Sequence, residues 1–423
     1  MSLRFCMLTT FYPPFHFGGD AIGIERLCHG LVRRGHRVTV VVDEDAWRNL
    51  ARGAAEPPPR ARPPGLEVVG LRARFGLLSS LLTQQFGRPV VHGRRIARLL
   101  ADAVPRFDVI NFHNVSLAGG PGLFRYGDAI KLYMAHEHWL VCPTHVLWRH
   151  NRELCDGREC LRCVLRHRRP PQLWRHTGFL EREARHVDAF IAMSEFSRAK
   201  HREFGFPREM EVVNYFLPDP PSGARTPEPA GASPHARPYF LFVGRLERIK
   251  GLDDVIPLFR ERCRTADLVI AGEGEHGAAL RELAQGIDRV RFLGRVPSEA
   301  LSRWYRHALA LLVPSVCFET FGIILIEAFQ QRTPVIARRL GPFPEIVERA
   351  QAGELFSTGD ELLAAMARMQ ADPALREQYG RRGHQAYLDH WCESAVIPRY
   401  LDVVRRAALR RGRHEVAARI GGA

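Results

Sequence analysis

The sequence predicts an α/β protein built from two Rossmann-like domains. Three observations carry that expectation. The chain has 423 residues, more than one hydrophobic core usually serves, so two domains are expected. Short apolar runs of strand length recur along it, several closed by glycine or proline and followed by a stretch of helical periodicity. That pattern is how βαβ units and a buried parallel sheet look in a sequence. Finally, residues 217–238 hold Pro218, Pro220, Pro221, Pro227, Pro229, Pro234 and Pro238 among Gly, Ala and Ser, the composition of an exposed linker. The expected division is a first domain over 1–216, a linker over 217–238 and a second domain over 239–395. A terminal helix, about 396–423, is expected to cross back onto the first domain.

In the first domain, Leu3–Thr9 reads as the opening strand. A loop from Phe11 to Asp20 follows and contains Gly18 and Gly19. Ile22, Leu27, Leu31 and Val32 then mark an amphipathic helix closed at Gly35, and Arg37–Val42 is the next strand. The two loop glycines can bring backbone N–H groups close to a phosphate or a sugar. The proline-rich stretch 52–64 reads as a surface connection. Two further buried strands, Phe107–Phe112 and Lys131–Ala135, end at His113-Asn114 and His136-Glu137. Both histidines therefore sit at the carboxyl ends of strands, where open α/β sheets bind ligands. Residues 140–186 read as an irregular Cys- and Arg-rich insertion with a helix near 176–186. Ala189–Ala192 is a strand that runs into Ser194, an N-cap residue for the next helix.

In the second domain, Tyr239–Val243 restarts a sheet and leads into a loop carrying Arg245 and Lys250. An arginine fork and a movable lysine charge leaving one strand end can converge on a diphosphate. Leu268–Gly274 is the next strand and turn, and Val290–Gly294 leads to Arg295 and Val296. The central stretch is Leu311–Pro344. Leu311–Val313 is a short buried strand, and a loop runs from Pro314 to Gly322. Ile323–Gln331 is helical, and Pro334–Ala337 starts the next strand. Backbone N–H groups at Thr320, Phe321, Gly322 and Ile323, at the start of that helix, suit a phosphate oxygen. Glu319 before the helix and Glu327 inside it suit sugar hydroxyls.

Composition narrows the function classes. Hydrophobic content of 46% and charged content of 25% are ordinary for a globular protein. No apolar run approaches the roughly 20 residues needed to span a bilayer, and a cytoplasmic protein is expected. The net charge is +15, yet only Lys131, Lys200 and Lys250 among 61 basic residues are lysine. Coding bias is the simplest account; the functional readings of the charge are an anionic ligand such as a diphosphate, or peripheral contact with an anionic membrane through Arg162–Arg175 with Trp148 and Trp174. No aromatic-basic platform or recognition motif points to nucleic acid. Four of the nine cysteines, Cys142, Cys155, Cys160 and Cys163, fall in one segment. Cys160 and Cys163 have metal-knuckle spacing, so the four read as a structural zinc site, as reduced thiols in a packed loop, or as disulfides.

The stretch PS-x(3)-ETFG-x(4)-EA, followed by PVIA and by G-x(2)-PEIV, resembles the family-4 retaining glycosyltransferases of the GT-B fold. GR-x(4)-KG, at Gly244–Gly251, is similar to a second motif of that family, and the resemblance covers nearly the whole chain. It implies two Rossmann-like domains facing each other across a cleft. Glu319 and Glu327 would be the family's glutamate pair, and His136 would face the donor sugar and the acceptor. Gly18 and Gly19 would close over the diphosphate, and Arg295 with Val296 would bracket the base. It implies transfer with retention from a UDP-, GDP- or ADP-linked sugar to a sugar, lipid-linked or small-molecule acceptor, with no cofactor or metal needed for the chemistry. Glu319, His136, Arg245 and Lys250 are the residues expected to act on the reacting groups. Two positions depart from the pattern: Arg332 stands where the family usually has Gly, and Glu137 where it usually has Asp. The rival readings are an epimerase or a glycoside phosphorylase on the same fold, and a non-catalytic binder of anionic polymers or membranes.

Overall fold

The computed structural model describes residues 2–51, 53, 55–101, 106–157, 159–220 and 232–421. The chain divides into two compact units, Met1–Pro218 with Val396–Ala423, and Asp219–Ala395. The centre of the expected linker, 221–231, lies outside the described residues.

The first unit holds β1 (Arg4–Thr9), β2 (Arg37–Asp43), β3 (Leu66–Leu71), β4 (Val109–Phe112) and β5 (Ile130–Ala135). A small hairpin of β6 (Trp148–Arg149) and β7 (Glu153–Leu154) comes next, then β8 (Ala189–Ala192) and β9 (Met210–Val212). Seven of these form one sheet in the order β3-β2-β1-β4-β5-β8-β9, and every neighbouring pair is parallel. Phe5, Leu8, Ile110, Phe112, Leu132 and Phe190 are buried, as a sheet covered by helices on both faces requires. That is why its strands read as continuous apolar runs rather than as an alternation. β3, the outer strand, is less apolar (LEVVGL) and only its end residues are buried. The sequence reading passed over it for that reason.

The second unit holds β10 (Tyr239–Val243), β11 (Asp267–Ala271), β12 (Val290–Gly294), β13 (Leu311–Val313), β14 (Val335–Arg338) and β15 (Gly353–Phe356). Their order is β12-β11-β10-β13-β14-β15, again parallel throughout. Counted from its own first strand, this is the doubly wound order 3-2-1-4-5-6.

The helix Glu393–Arg410 carries Val396, Ile397, Tyr400, Val404 and Ala407 on one buried stripe. It belongs with the first unit: the Asn111 Nδ2 donates to the Tyr400 hydroxyl at 3.0 Å, and Arg406 pairs with Glu211 at 2.7 Å. Among the described residues no helix is long and apolar enough to cross a membrane.

The segment expected to be irregular, 140–186, is more ordered than its composition suggests. It contains the β6–β7 hairpin, a helix over Cys160–Arg166 and another over Phe179–Ala184. Its tryptophans also correct the expected membrane face. Trp148 and Trp174 are each 7% exposed, and the Trp174 indole donates to the Gln84 carbonyl at 2.8 Å. They are packing residues and cannot anchor the protein in a lipid interface.

Candidate functional site

In an open parallel sheet, ligands bind at the carboxyl ends of the two strands between which the winding direction reverses. Here those positions lie between β1 and β4 in the first unit and between β10 and β13 in the second. The residues singled out in the sequence leave the ends of these strands and of their neighbours.

In the second unit, the loop after β10 ends with Lys250, and the loop after β13 carries Ser315 and Glu319. The fold joins them: the Lys250 ammonium lies 2.5 Å from Glu319 Oε1, and the Ser315 hydroxyl donates to the same oxygen at 3.1 Å. Both charged side chains keep about a quarter of their surface open, 23% for Lys250 and 25% for Glu319. Burial works against the lysine charge, but the Glu319 carboxylate outweighs it and holds the ammonium well above its ordinary range. The cluster is therefore a fixed positive charge beside an oriented carboxylate, both within reach of solvent.

The helix Ile323–Gln330 starts immediately after this loop. Leu325, Ile326, Ala328 and Phe329 bury its inner face, which anchors the N-terminus with its positive dipole end beside the cluster. Gly322 makes the start possible. Its φ is 130°, and a Cβ there would stand 3.0 Å from the Phe343 ring and 3.2 Å from Leu325. Phe321 is buried at 1% exposure, so only its backbone can face a ligand.

Not every expected partner joins the cluster. Arg245, although only five positions from Lys250, is half exposed and pairs with Glu247 at 2.9 Å. Glu327 sits on the helix and accepts from the Tyr305 hydroxyl at 3.1 Å. Arg295 and Val296 follow β12, the far edge of the sheet, Arg295 exposed and Val296 half-buried. Ser315 and Tyr305 were not anticipated. Ser315 could have been found, since it ends the PS motif; nothing in the sequence marked Tyr305.

In the first unit, His136 lies at the end of β5 and is 7% exposed. Its Nε2 is 2.8 Å from His113 Nδ1, its Nδ1 meets the Tyr215 hydroxyl, and His113 Nε2 lies 3.4 Å from the Met7 sulfur. The proton positions follow from chemistry. A thioether can only accept, so His113 Nε2 carries the proton and its Nδ1 accepts. His136 Nε2 therefore donates, its Nδ1 accepts, and the Tyr215 O–H donates to it. Burial lowers the pKa of both rings, that of His136 to about 4, so the chain is neutral. Gly23 gives Tyr215 its place: a Cβ on Gly23 would be 2.4 Å from the tyrosine ring. The strand-end positions mark both histidines in the sequence, but not their contact with each other, nor Tyr215 and Met7, which come from other parts of the chain.

Glu137 lies beside this chain. Asn114 Nδ2 donates to it at 2.8 Å, and the His145 imidazole meets its other oxygen. Burial pushes its pKa up, but His145 and Arg169 outweigh burial and hold it below the usual carboxylate value. Asp20, in the first turn of the helix Gly19–Arg33, is affected oppositely: burial and the Glu137 charge raise it to about 6. Gly18 is the N-cap of that helix. Phe17 beside it is 39% exposed and stacks on Trp47.

The four clustered cysteines line one small cavity, although no three of their sulfurs lie within 4.8 Å of one another. Among the described residues, only Asp43, Asp45 and His92 bring three ligand atoms that close. That trio is buried, with His92 Nε2 3.0 Å from Asp45, and Asp43 Oδ1 accepts the Ala46 N–H at 3.0 Å.

Residues 227–386 match the family model of the group 1 glycosyl transferases, and residues 17–216 match that of glycosyltransferase family 4. Between them the two models span most of the chain. The chain belongs to the group 1, family 4 glycosyltransferases. This glycosyltransferase chain is 32% identical over 203 residues to the phosphatidyl-myo-inositol mannosyltransferase of Mycobacterium leprae, an alignment covering 46% of this chain and 53% of that one. It thus spans about half the length of that relative. Sucrose-phosphate synthase from Thermosynechococcus elongatus superposes with a TM-score of 0.69 at 19% identity, over 98% of this chain and 99% of that one. Anabaena HepE, solved with UDP-glucose, gives 0.61 at 15% identity over 97% and 99%. The structural likeness establishes the fold: two Rossmann-like domains of the GT-B kind.

Proposed function

We propose that this glycosyltransferase moves a sugar from a nucleoside-diphosphate sugar to an acceptor hydroxyl with retention at the anomeric carbon. The second unit takes the donor and the first takes the acceptor. The observation that carries the reading is the Lys250–Glu319–Ser315 cluster at the foot of the Ile323–Gln330 helix. As the bond from the anomeric carbon to the diphosphate oxygen breaks, negative charge grows on the leaving group. Lys250 and the helix N-terminus would meet that charge, and stabilisation of this kind is a large catalytic term. Glu319, oriented by Lys250 and Ser315, would accept hydrogen bonds from sugar hydroxyls. Glu327 on the same helix would hold the ribose, with the Tyr305 hydroxyl setting its orientation. The leaving diphosphate would take the acceptor proton on the face it departs from, which gives retention without a protein nucleophile. Arg245, now paired with Glu247, would have to turn from that partner to reach a phosphate.

In the first unit, the neutral His136 presents a fixed ring surface, while Glu137, Asn114 and Asp20 present polar groups suited to an acceptor's hydroxyls. The relative solved with UDP-glucose supports a UDP-linked donor. The mannosyltransferase relative, whose name carries a phosphatidyl-inositol, supports including lipid-linked acceptors among those tested. The test is thermal stabilisation by a panel of UDP-, GDP- and ADP-sugars, followed by nucleotide release with and without acceptors. Release that depends on an acceptor, with an α-linked product from an α-linked donor, is expected. Turnover of the donor without an acceptor would replace transfer by epimerisation. Sugar-1-phosphate formation from phosphate would replace it by phosphorolysis, and salt-sensitive polyanion binding with no turnover would replace it by simple binding.

A further inference from the structure

The cysteine segment is the one sequence motif that the transfer reaction leaves unused. We propose that Cys142, Cys155, Cys160 and Cys163 hold one structural zinc ion. Three observations support it. First, the fold brings all four to one place. Cys142 follows the turn after β5, and Cys155 directly follows the β6–β7 hairpin. Cys160 and Cys163 lie in the first turn of the helix Cys160–Arg166. All four line one cavity of about 20 Å³, room for a single water-sized body.

Second, the surroundings suit sulfur that carries charge. The His150 N–H at the hairpin turn donates to Cys163 Sγ at 3.3 Å, the kind of outer contact that steadies a coordinated thiolate. Arg175, half-buried, is held beside the start of the segment, donating to the Trp139 carbonyl at 2.7 Å and to the Leu140 carbonyl at 3.4 Å. Coordination would release the thiol protons to solvent and leave a site of net charge −2, which this arginine-rich segment can balance. The present thiol contacts, Cys155 to the Gly157 carbonyl and Cys142 to the Thr144 hydroxyl, both at 3.2 Å, are weak ones that an ion would replace. The sulfurs would have to close from their present spread to bonds of about 2.3 Å.

Third, the segment needs a tie. His145, Leu147, His150, Asn151 and Arg168 all have φ between 48° and 78°, a left-handed conformation that non-glycine residues hold only where their surroundings enforce it. Its strands are two residues long. An ion would supply folding energy that so small a core lacks. The segment also reaches the site, since His145 holds Glu137. The ion would thus steady the acceptor side without touching a reactant, four thiolates leaving no position open.

The test uses the full chain, purified without a metal-affinity tag. Elemental analysis should find about one equivalent of zinc, as one tetrahedral site requires. A mercurial thiol reagent should release it. Cys160→Ser should lose it, while Cys28→Ser, at a cysteine elsewhere in the unit, and Asp43→Asn, in the buried acid–histidine trio, should keep it. Growth on cobalt should give the visible bands of a tetrahedral thiolate site, a readout on the wild-type chain that stands even where Cys160→Ser does not fold. Zinc below about half an equivalent, mass shifts showing disulfides, zinc that survives Cys160→Ser, or zinc lost with Asp43→Asn would each overturn the proposal.

Discussion

At the scale of single residues, the site rests on two contacts that differ in kind. Lys250 and Glu319 are an ion pair between half-buried groups, and removing one member strands the other. Lys250→Ala is expected to raise the dissociation constant for nucleoside diphosphate more than for nucleoside monophosphate, and to lower kcat by roughly 10²–10³, as loss of a leaving-group contact does. Glu319→Ala should lower kcat while leaving diphosphate affinity near wild type, and should cost about 1–3 kcal/mol of stability because Lys250 loses its partner. Steady-state kinetics, nucleotide titrations and urea unfolding check these, and wild-type turnover in both folded variants would remove the cluster from the mechanism. Tyr215 is a neutral contact with a different signature. Tyr215→Phe takes away the proton that His136 Nδ1 accepts, and should destabilise by about 1–2 kcal/mol. The His136 Nδ1 resonance should shift as it loses its hydrogen-bond donor, while Nε2 keeps its proton through the contact with His113; an unshifted Nδ1 resonance would mean the tyrosine does not donate to it.

At the scale of elements, two backbone positions decide where side chains arrive. Gly23, inside the Gly19–Arg33 helix, leaves the gap that Tyr215 fills. Gly23→Val would push the ring out and detach it from His136. The expected outcome is a folded protein with the same His136 Nδ1 shift as Tyr215→Phe and at least tenfold lower activity, a loss of about 1.4 kcal/mol in the transition state. Arg332 is the opposite case. The family resemblance puts glycine there, and the structure shows why: its φ is 60°, in the left-handed region, and Gly380 packs against its carbonyl. Arg332→Gly relieves strain of about 1 kcal/mol while freeing the unfolded chain by a similar amount. Its stability in urea should therefore stay within about 1 kcal/mol of wild type, and a larger loss would show that the arginine side chain holds the turn.

At the scale of the whole molecule, the buried histidines among the described residues lie in the first unit, and acid sensitivity is greatest there. His36, His92, His113, His136 and His201 all have pKa values lowered by burial, those of His136 and His201 to about 4. The unfolded chain takes protons on such rings near pH 6.5, whereas the folded rings take them only at lower pH, His136 and His201 near pH 4. The stability they carry is present above pH 6.5 and is lost as pH falls from there to about 4. Asp20 and Asp43 act in the opposite sense. Their folded values, about 6 and about 7, exceed the unfolded ones, so they favour the fold as pH drops. The histidines outnumber them, and the urea midpoint should fall between pH 7 and pH 5. His201→Gln, which keeps a donor for the Ser197 carbonyl that His201 Nδ1 now meets at 2.7 Å, should flatten that slope. A midpoint that does not move would show that the rings are not held neutral.

By itself the sequence determined what is local. Apolar runs, turn residues and N-caps placed the strands β1, β2, β4, β5, β8, β10, β11, β13 and β14, because period and punctuation depend only on near neighbours. The ETFG and GR-x(4)-KG motifs placed Glu319 and Lys250 at strand ends for the same reason. Only the tertiary structure decided which side chains meet. Lys250 joins Glu319, 69 positions away, rather than Arg245, five positions away. His136 accepts from Tyr215, 79 positions on, through a gap at Gly23 that no local pattern marks. Trp148 and Trp174, read as surface anchors, are buried, and the cysteine segment folds into a hairpin and helix. Burial and hydrogen-bond pairing depend on which distant segments the chain packs together, and a list of near neighbours does not contain that information.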